Sequence, residues 1–274
     1  MKQMNKSHTP YLRPSVFWSI RQGFPAWLKL LLTIVALVVP LAIWSFLSYN
    51  ELVNPQFLPT PVAVLQAGIE MFKSENLIVD IAASFGRVLA GFLLAAIVGI
   101  PLGIAMGTFY SMESLFGSIV GVVRYMPIAA FMPLIVLWAG LGEVSKVLII
   151  FLGIVFYNAI MIADAVKFIP IEMFNAAYTL GANRFNLVFR VILPAVVPSI
   201  IDTLRVNVAG AWNFLVISEL IAAQNGLGFK IIYSQRFLNT DKVLFCIVII
   251  GIIGLLLDYS FKLFYKLALP WAEQ

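Results

Sequence analysis

Charged residues are scarce in this chain. Asp, Glu, Lys and Arg make up 11% of its 274 residues, whereas 62% are hydrophobic. A soluble domain carries about a quarter charged residues, so this chain lacks the polar groups needed to cover its apolar surface in water. We therefore expect lipid to be its solvent. The apolar runs are spread evenly along the chain, which favours a single membrane domain.

Cysteine and histidine are almost absent, with one of each, Cys246 and His8. One cysteine excludes an internal disulfide and a cysteine-based zinc site. One histidine, in the N-terminal tail, excludes a catalytic or metal site built on several histidines. No GxxxxGK[ST] phosphate loop occurs, so we expect no ATPase activity by that route. We expect no enzyme here, and no catalytic, cofactor-binding or metal-binding residue.

The net charge of +5 does not indicate a nucleic-acid partner, because the basic residues lie between hydrophobic runs. Six of these runs approach or exceed the 20 or so apolar residues that a spanning helix needs, and they predict an all-α polytopic membrane protein. The expected spans are Leu30–Tyr49, Ile81–Gly107, Leu115–Leu141, Val147–Val166, Ala195–Ala223 and Val243–Leu267.

Glycine and proline modify two of these spans. Gly99, Pro101 and Gly103 are expected to interrupt the second span and to allow close helix packing. Pro127 and Pro133 should kink the third, since each removes a backbone donor. Between the first two spans, PTPVAVLQAGIEMFKSE is too polar to cross the bilayer, and its apolar spacing predicts a short helix at the membrane surface.

The distribution of Lys and Arg predicts the orientation. Five basic residues precede the first span, in an N-terminal leader over residues 1–29, while the next loop has Lys73 against four carboxylates. We therefore expect a cytoplasmic N-terminus. Six spans across residues 30–267 then place the C-terminal tail, 268–274, on the same side. One external loop is at odds with this scheme, because it carries Lys230, Arg236 and Lys242.

This orientation places the amphipathic stretch NAAYTLGANRFNLVFRVILP in a cytoplasmic loop over residues 168–194. Glu172 complements a helix N-terminus, Gly181 can supply a left-handed stop, and Asn183 can cap a second helix that ends before Pro194. We predict two short helices joined by a turn. Taken alone, this shape also fits an ordinary surface loop.

The small residues Ala176 and Ala177 are expected on one face of the first helix, where another protein can approach the backbone. The stretch resembles the cytoplasmic coupling motif of bacterial ABC importer permeases: Glu-Ala-Ala, three residues, Gly, nine residues, Ile-x-Leu-Pro. The matching positions are Ala176, Ala177, Gly181, Val191 (in place of Ile), Leu193 and Pro194. Asn175 stands where the motif has Glu.

Three further segments, SFGRVLAGFLLAAIVGIPLGIAMG, MPLIVLWAGLGEVSKVLII and AQNGLGFKI, resemble the nitrate/sulfonate/taurine branch of those permeases. The resemblance covers about Leu58 to the C-terminus. It implies a type I importer permease fold in a bacterial inner membrane. It also implies a second permease copy, as a homodimer or with a similar chain, and an external binding protein that delivers a small anion such as nitrate, taurine or another sulfonate, bicarbonate or cyanate.

The same resemblance implies two separate ATP-binding subunits, which would hold ATP and Mg and dock on the cytoplasmic loop. The residues to which it assigns that coupling are Glu172, Asn175, Ala176, Ala177, Gly181 and Pro194. A secondary transporter driven by an ion gradient is the alternative. It would use mid-membrane carboxylates, for which Asp202 and Glu219 are candidates, but no internal repeat is visible.

Polar residues within the spans are costly in lipid and need a partner or a function. Candidate residues of a translocation path are Arg124, Arg205, Asn207, Trp212, Asn213 and Glu219. Arg124 and Arg205 lie near mid-membrane, where they could attract an anion or serve structure only.

The structural alternatives are specific. Arg205 would pair with Asp202 or Glu219, and Arg124 would donate to carbonyls freed by Pro127. Arg87 is expected to extend towards the outer interface. Asp164 and Lys167, three residues apart, are expected to form an ion pair.

Overall fold

The computed structural model describes residues 25–220 and 223–272. Within these ranges the chain forms eleven α-helices and one π-helical segment, which confirms the all-α prediction. The helices are α1 Ala26–Tyr49, α2 Pro61–Ser74, α3 Leu77–Thr108, α4 Tyr110–Val123, α5 Ile128–Ala139, α6 Glu143–Lys167, α7 Ile171–Thr179, α8 Arg184–Leu187, α9 Leu193–Glu219, α10 Leu227–Arg236 and α11 Thr240–Ala268. The π-helical segment, Val188–Ile192, joins α8 to α9.

The chain divides into two compact units, residues 1–55 and 56–274. Helix α1, the one helix described in the first unit, is 24 residues long and apolar enough to cross a membrane. Most of its large side chains, such as Leu37 and Phe46, are exposed, as expected of a helix that lipid surrounds. Residues 1–24 of the predicted leader lie outside the described residues.

In the second unit, four helical stretches pass the same test of length and hydropathy: α3, α6, α11 and the run Arg184–Glu219 that includes α9. Helices α4 and α5 together would make a sixth span, but they are bent by 102° at the residues between them. The expected bend near Pro127 is therefore present, but the helix is interrupted there rather than kinked, and Pro133 lies inside α5 without breaking it. The reason is local: Pro127 disfavours helical geometry at the residue before it and lacks an N–H.

Helices α3 and α6 pack together more extensively than any other pair of helices within residues 25–220 and 223–272. Four glycines of α3 face α6: Gly91, Gly99, Gly103 and Gly107. A Cβ atom at Gly103 would lie 2.6 Å from the carbonyl oxygen of Ala159, so the two backbones approach too closely for any larger residue. The close packing expected here is confirmed.

Pro101 does not interrupt the second span, since α3 is one helix of 32 residues with this proline inside it. That expectation is wrong. The Pro101 ring is exposed, whereas Gly99 and Gly103 on either side of it pack against α6. Packing on both sides of the proline therefore holds the helix together although one backbone hydrogen bond is missing.

The short helix predicted between the first two spans is α2. Thr60 caps it by accepting a hydrogen bond from the Ala63 N–H at 3.2 Å, and Pro61 occupies the first turn. Helix α2 packs against α11, where the Phe245 ring lies over Gly68 so closely that a side chain there would overlap it. An apolar face thus fixes α2 to the second unit.

Candidate functional site

The loop over residues 168–194 folds as two short helices joined by a turn, which confirms that prediction. Gly181 has φ +81°. Its N–H donates to the Tyr178 carbonyl, and the Ala182 N–H donates to the Ala177 carbonyl, each at 2.9 Å. This is the Schellman arrangement that ends α7. The Asn183 side chain then accepts a hydrogen bond from the Asn186 N–H at 2.8 Å and caps α8.

The second helix does not end before Pro194, so that expectation is wrong. Helix α8 continues through the π-helical segment into α9, and the whole run Arg184–Glu219 is 36 residues long. The Leu193 N–H bonds to the carbonyl of Val188, five residues back. The wider π turn accommodates Pro194, which has no N–H to donate to the preceding turn, so the chain enters the span without a break.

The two alanines of the motif border a common groove, as expected of a shared face, but they differ in burial. Ala177 is 8% exposed and belongs to a core cluster with Ile162, Leu187 and Ile192. Ala176 is exposed. The small side chain at Ala177 therefore lets α7 lie against the ends of the spans. At Ala176 only a methyl group projects from the exposed surface of α7.

Residues from both halves of the motif line one apolar groove of about 490 Å³, called here the loop groove. Its lining comprises Met173, Ala176, Ala177, Leu180, Arg190, Val191, Pro194, Ala195 and Trp271. Trp271 comes from the C-terminal end of the described chain and is 56% exposed. Sequence reasoning missed it, because only the tertiary fold brings the tail to the loop.

Glu172 and Asn175 lie apart from the loop groove. Glu172 is exposed in the first turn of α7. Asn175 lines a different cleft, of about 610 Å³, together with Glu113 and Lys167. Lys167 forms its ion pair with Glu113 of α4, at 2.6 Å. The expected pairing of Lys167 with Asp164 is therefore wrong, since α4 brings a carboxylate closer.

The loop also exposes large apolar side chains outside the predicted spans. They are Phe168, Ile171, Met173, Tyr178, Leu180, Phe185 and Phe189. Leu180 is 88% exposed. The Phe185 and Phe189 rings lie 4.4 Å apart, centroid to centroid. Large exposed apolar side chains outside the spans make the loop a candidate interaction surface.

Arg87 does not extend outward as expected. Its side chain is 4% exposed, and all five of its N–H donors are used inside the protein. Two donate to Glu143 at 2.6 and 2.7 Å, one to Glu219 at 2.6 Å, and two to Asn225 at 2.6 and 2.9 Å. Because Glu143, Glu219 and Asn225 satisfy all five donors, the Arg87 side chain does not need to extend to the interface for polar partners.

Glu219, a candidate path residue, is a buried partner in this network. Its carboxylate accepts hydrogen bonds from the Arg87 guanidinium, from the Ser84 hydroxyl at 2.8 Å and from the Gly228 N–H at 2.7 Å. Asp80 accepts the Gly226 N–H at 2.7 Å. The sequence segment NGLG thus folds as a turn whose backbone donors meet the acidic residues of α3 and α9.

Arg205 forms an ion pair with Asp258 of α11 at 2.6 Å and a longer one with Asp202 at 3.6 Å. Of its two expected partners, Asp202 is confirmed and Glu219 is wrong, since Glu219 pairs with Arg87. Asp258 was missed, because 53 residues separate it from Arg205.

The remaining polar candidates of α9 differ in exposure. The half-buried Asn207 donates to Asn158 of α6 at 2.7 Å. Trp212 is 3% exposed, and its indole N–H has no hydrogen-bond partner among residues 25–220 and 223–272. Asn213 is exposed. The structure thus does not bring Asn207, Trp212 and Asn213 together into one polar surface.

Arg124 ends α4 at the bend before α5. Its guanidinium donates from Nη2 to the Tyr125 hydroxyl at 2.8 Å and stacks 4.6 Å from the centre of the same ring. No hydrogen bond from this side chain to a carbonyl near Pro127 is present in the described part of the chain, so that expectation is wrong. Instead, the Tyr157 hydroxyl donates to the Arg124 carbonyl at 3.1 Å.

The basic loop that was at odds with the orientation scheme is largely paired. Lys230 contacts Glu75 at 3.0 Å and Asp80 at 3.7 Å, and Lys242 contacts Glu75 at 2.7 Å. The hydrogen bond from Lys242, followed by that from Lys230, lowers the pKa of the Glu75 carboxyl despite some burial. Pairing of this kind reduces the weight of these lysines as orientation signals.

Within the described ranges no three His, Cys, Asp or Glu side chains are grouped so that they could hold a metal ion. The described residues form an all-helical body with five or six helices apolar and long enough to cross a membrane, which defines the class as a polytopic membrane protein.

The comparisons with known proteins give the family. Residues 99–270 match the family described as the binding-protein-dependent transport system inner membrane component. The taurine transport system permease protein TauC of Escherichia coli is 36% identical over 257 residues, which cover 92% of this chain and 94% of TauC. The nitrate import permease protein NrtB of Synechocystis is 29% identical over 90% of this chain and 91% of its own length.

Among solved structures, an inward-facing MetNI methionine ABC transporter matches with a TM-score of 0.63 at 16% identity, over 69% of this chain and 94% of the other. That likeness shows the fold. The chain therefore belongs to the binding-protein-dependent inner membrane permeases, and it is an ABC importer permease of the taurine/sulfonate/nitrate type. The ion-gradient-driven transporter considered above is a different class.

Proposed function

We propose that this chain forms the path for a small oxyanion through the inner membrane and that the loop over residues 168–194 couples it to a separate ATPase. The loop groove carries this proposal. It combines Ala176, Ala177 and Pro194 with an exposed rim that includes Leu180. A concave apolar surface with low side chains at its floor is suited to receive a protruding helix end or side chain of another protein.

The proposal includes a division of labour. ATP and Mg would be held by two ATP-binding subunits, and this chain would bring no cofactor of its own. Two permease copies would form the path, and an external binding protein would deliver the solute, in keeping with the name of the family. Both termini would lie in the cytoplasm, on the side of the ATPases, as the charge distribution predicts.

The substrate class is proposed from two observations. The relatives named above are called taurine and nitrate permeases, and both solutes carry a head of three oxygen atoms with delocalised negative charge. Arg124 offers a guanidinium near mid-membrane that has no carboxylate partner in the described part of the chain. Arginine matches such oxyanions with paired hydrogen bonds.

A substitution at Gly181 tests the coupling. At φ +81° a β-branched residue is strongly disfavoured, so Gly181→Val should deform the turn and disrupt the loop groove that α7 lines. The matched control is Gly251→Val, because Gly251 is exposed in α11 with nothing near its Cβ position. Both variants are reconstituted in proteoliposomes with the ATPase and the binding protein.

We expect Gly181→Val to reach the membrane in normal amounts and to lose about tenfold or more of both solute uptake and the ATP hydrolysis that the loaded binding protein stimulates. Gly251→Val should behave like the parent. Unchanged uptake in Gly181→Val would show that the loop does not couple this permease to an ATPase. ATP hydrolysis by the purified chain alone would contradict the division of labour.

A further inference from the structure

Arg124 differs from the other two arginines of the apolar spans. Arg87 uses all five donors on protein partners, and Arg205 is paired with two carboxylates. For Arg124 the structure gives one side-chain hydrogen bond, to Tyr125, and the buried Nε has no partner among the described residues. Arg124 is half-buried and has no carboxylate partner among the described residues, so its charge is available to an anionic ligand.

The guanidinium of Arg124 borders a cavity of about 270 Å³ at the bend between α4 and α5, called here the bend cavity. Its wall comprises Val123, Arg124, Tyr125, Met126, Pro127, Ile128, Phe131, Leu152, Gly153, Phe156, Tyr157 and Phe214. Among the described residues, Arg124 is the only cationic side chain of this wall and no acidic residue lines it, while five aromatic rings supply much of the rest.

The depth of the bend cavity follows from α6. Residues 152–157 lie about 14–21 Å along this helix from its first residue, Glu143, at 1.5 Å per residue. That is close to the middle of a hydrocarbon core about 30 Å thick. At the bend, the Tyr157 hydroxyl donates to the Arg124 carbonyl at 3.1 Å, and Pro127 is the cap residue from which α5 begins.

We propose that the bend cavity is a binding site for a small organic oxyanion on its way through the membrane, with the Arg124 guanidinium as the ligand of the negatively charged head. The aromatic wall would contact a short apolar body, and stacking on Tyr125 holds the guanidinium plane in place. A bare inorganic ion would use the arginine and leave the apolar wall without a contact. This inference rests on the proposed function and assigns its substrate site.

Cysteine labelling tests the site without relying on the ATPase. Met126 lines the bend cavity and is 44% exposed. Met126→Cys is placed in a Cys246→Ala background, and the purified permease is reacted with an anionic (ethylsulfonate) and a cationic (trimethylammonium) methanethiosulfonate. The ratio of the two rates reports the local potential and is insensitive to changes in thiol reactivity, which affect both reagents alike.

We expect the ratio of anionic to cationic rate to fall about tenfold in Arg124→Gln, since a single charge in a low-dielectric cleft changes local ion concentration by at least that factor. Arg236→Gln, which removes an exposed positive charge outside the cavity, should leave the ratio unchanged. Arg124→Lys should keep most of it. A ratio that ignores Arg124, or that falls equally in Arg236→Gln, would overturn the proposal.

Protection by solutes tests the ligand class. Ethanesulfonate should slow the labelling of Met126→Cys at lower concentration than nitrate does, and choline should not slow it. Protection by nitrate equal to that by ethanesulfonate would refute the assignment of an organic anion, and protection by neither would refute the site. In proteoliposomes, Arg124→Gln should lower uptake about tenfold, whereas the control Arg236→Gln should keep both uptake and stimulated ATP hydrolysis within twofold of the parent. Loss of hydrolysis in the parent complex would instead refute the proposed function.

Discussion

Replacing Arg87 by methionine should destabilise this protein more than any other single loss of charge in its spans. Methionine preserves much of the aliphatic volume but removes all five donors. Glu219, whose side chain is 0% exposed, would then keep its charge with only the Ser84 hydroxyl and the Gly228 N–H as partners. Two carbonyl-type acceptors of Asn225 would lose their donors as well.

The magnitude follows from burial. Removing one partner of a buried ion pair costs about 3–5 kcal/mol of unfolding free energy, because the other charge is left uncompensated. The lost bonds to Glu143 add little, since its side chain is 62% exposed and water can replace them. Replacing both partners, as in Arg87→Met with Glu219→Gln, removes the uncompensated charge and should recover about half of the loss.

The assay is reversible unfolding of the purified permease by sodium dodecyl sulfate in mixed micelles, followed by far-ultraviolet circular dichroism. The parent, the two single variants and the double variant form a double-mutant cycle. Arg205→Met is the matched control: the Arg205 side chain is 33% exposed and that of its nearest partner, Asp258, is 35% exposed, so its removal should cost clearly less than that of Arg87.

A loss below about 1 kcal/mol for Arg87→Met, or one no larger than that of Arg205→Met, would refute the reasoning, because both results would mean that water reaches the pair. A double variant as unstable as the sum of the single variants would refute the specific pairing of Arg87 with Glu219. A coupling of about 2 kcal/mol or more would support it.

Two further predictions concern Trp271 in the loop groove and the ion pair of Glu75 with Lys242. Trp271→Ala should weaken binding of the purified ATPase subunit to the permease about tenfold in a sedimentation assay, because it removes one wall of the loop groove. The control Trp138→Ala, at a 73% exposed site on α5, should not weaken this binding. Equal binding by both variants would mean that the tail takes no part in docking. Stability should also fall in acid. The folded-state pKa of Glu75 is lowered, chiefly by the hydrogen bond from Lys242, so its contribution is present above the ordinary pKa of about 4.3 and is lost as the pH falls through the folded value. Lys242→Met should flatten that part of the unfolding profile between pH 6 and pH 3, and an unchanged profile would contradict the assignment.

The loop over residues 168–194 was the most predictable part of the molecule, since its determinants are local. Gly181 ends α7 because of its own φ, and Asn183 caps α8 through a contact three residues away. What the sequence could not provide was the neighbour of each element. The burial of Ala177 beside the exposed Ala176 depends on how α7 lies against the spans. The position of Trp271 in the loop groove depends on where the tail folds.

The buried polar network was unpredictable for the same reason. Arg87 and Glu219 are 132 residues apart, and nothing in either local sequence names the other. A signal did exist: Asp80, Ser84 and Arg87 recur at helical spacing on α3, and all three are buried on one side of it. A polar stripe on an apolar helix indicates partners within the protein, although it does not say which ones.

Two prolines of the predicted spans, Pro101 and Pro127, show how packing overrides a local rule. Pro101 and Pro127 each lack a donor and each disfavour helix at the preceding residue, yet α3 continues and α4 ends. Glycines on both sides of Pro101 hold α3 against α6 over several turns, so ending the helix there would forfeit that contact. At Pro127 no comparable glycine contact with another helix is present in the described residues, since Gly117 and Gly121 of α4 face open space or their own helix. The chain therefore bends at Pro127, where a bend loses fewer packing contacts with a neighbouring helix than at Pro101. This bend creates the cavity that Arg124 borders.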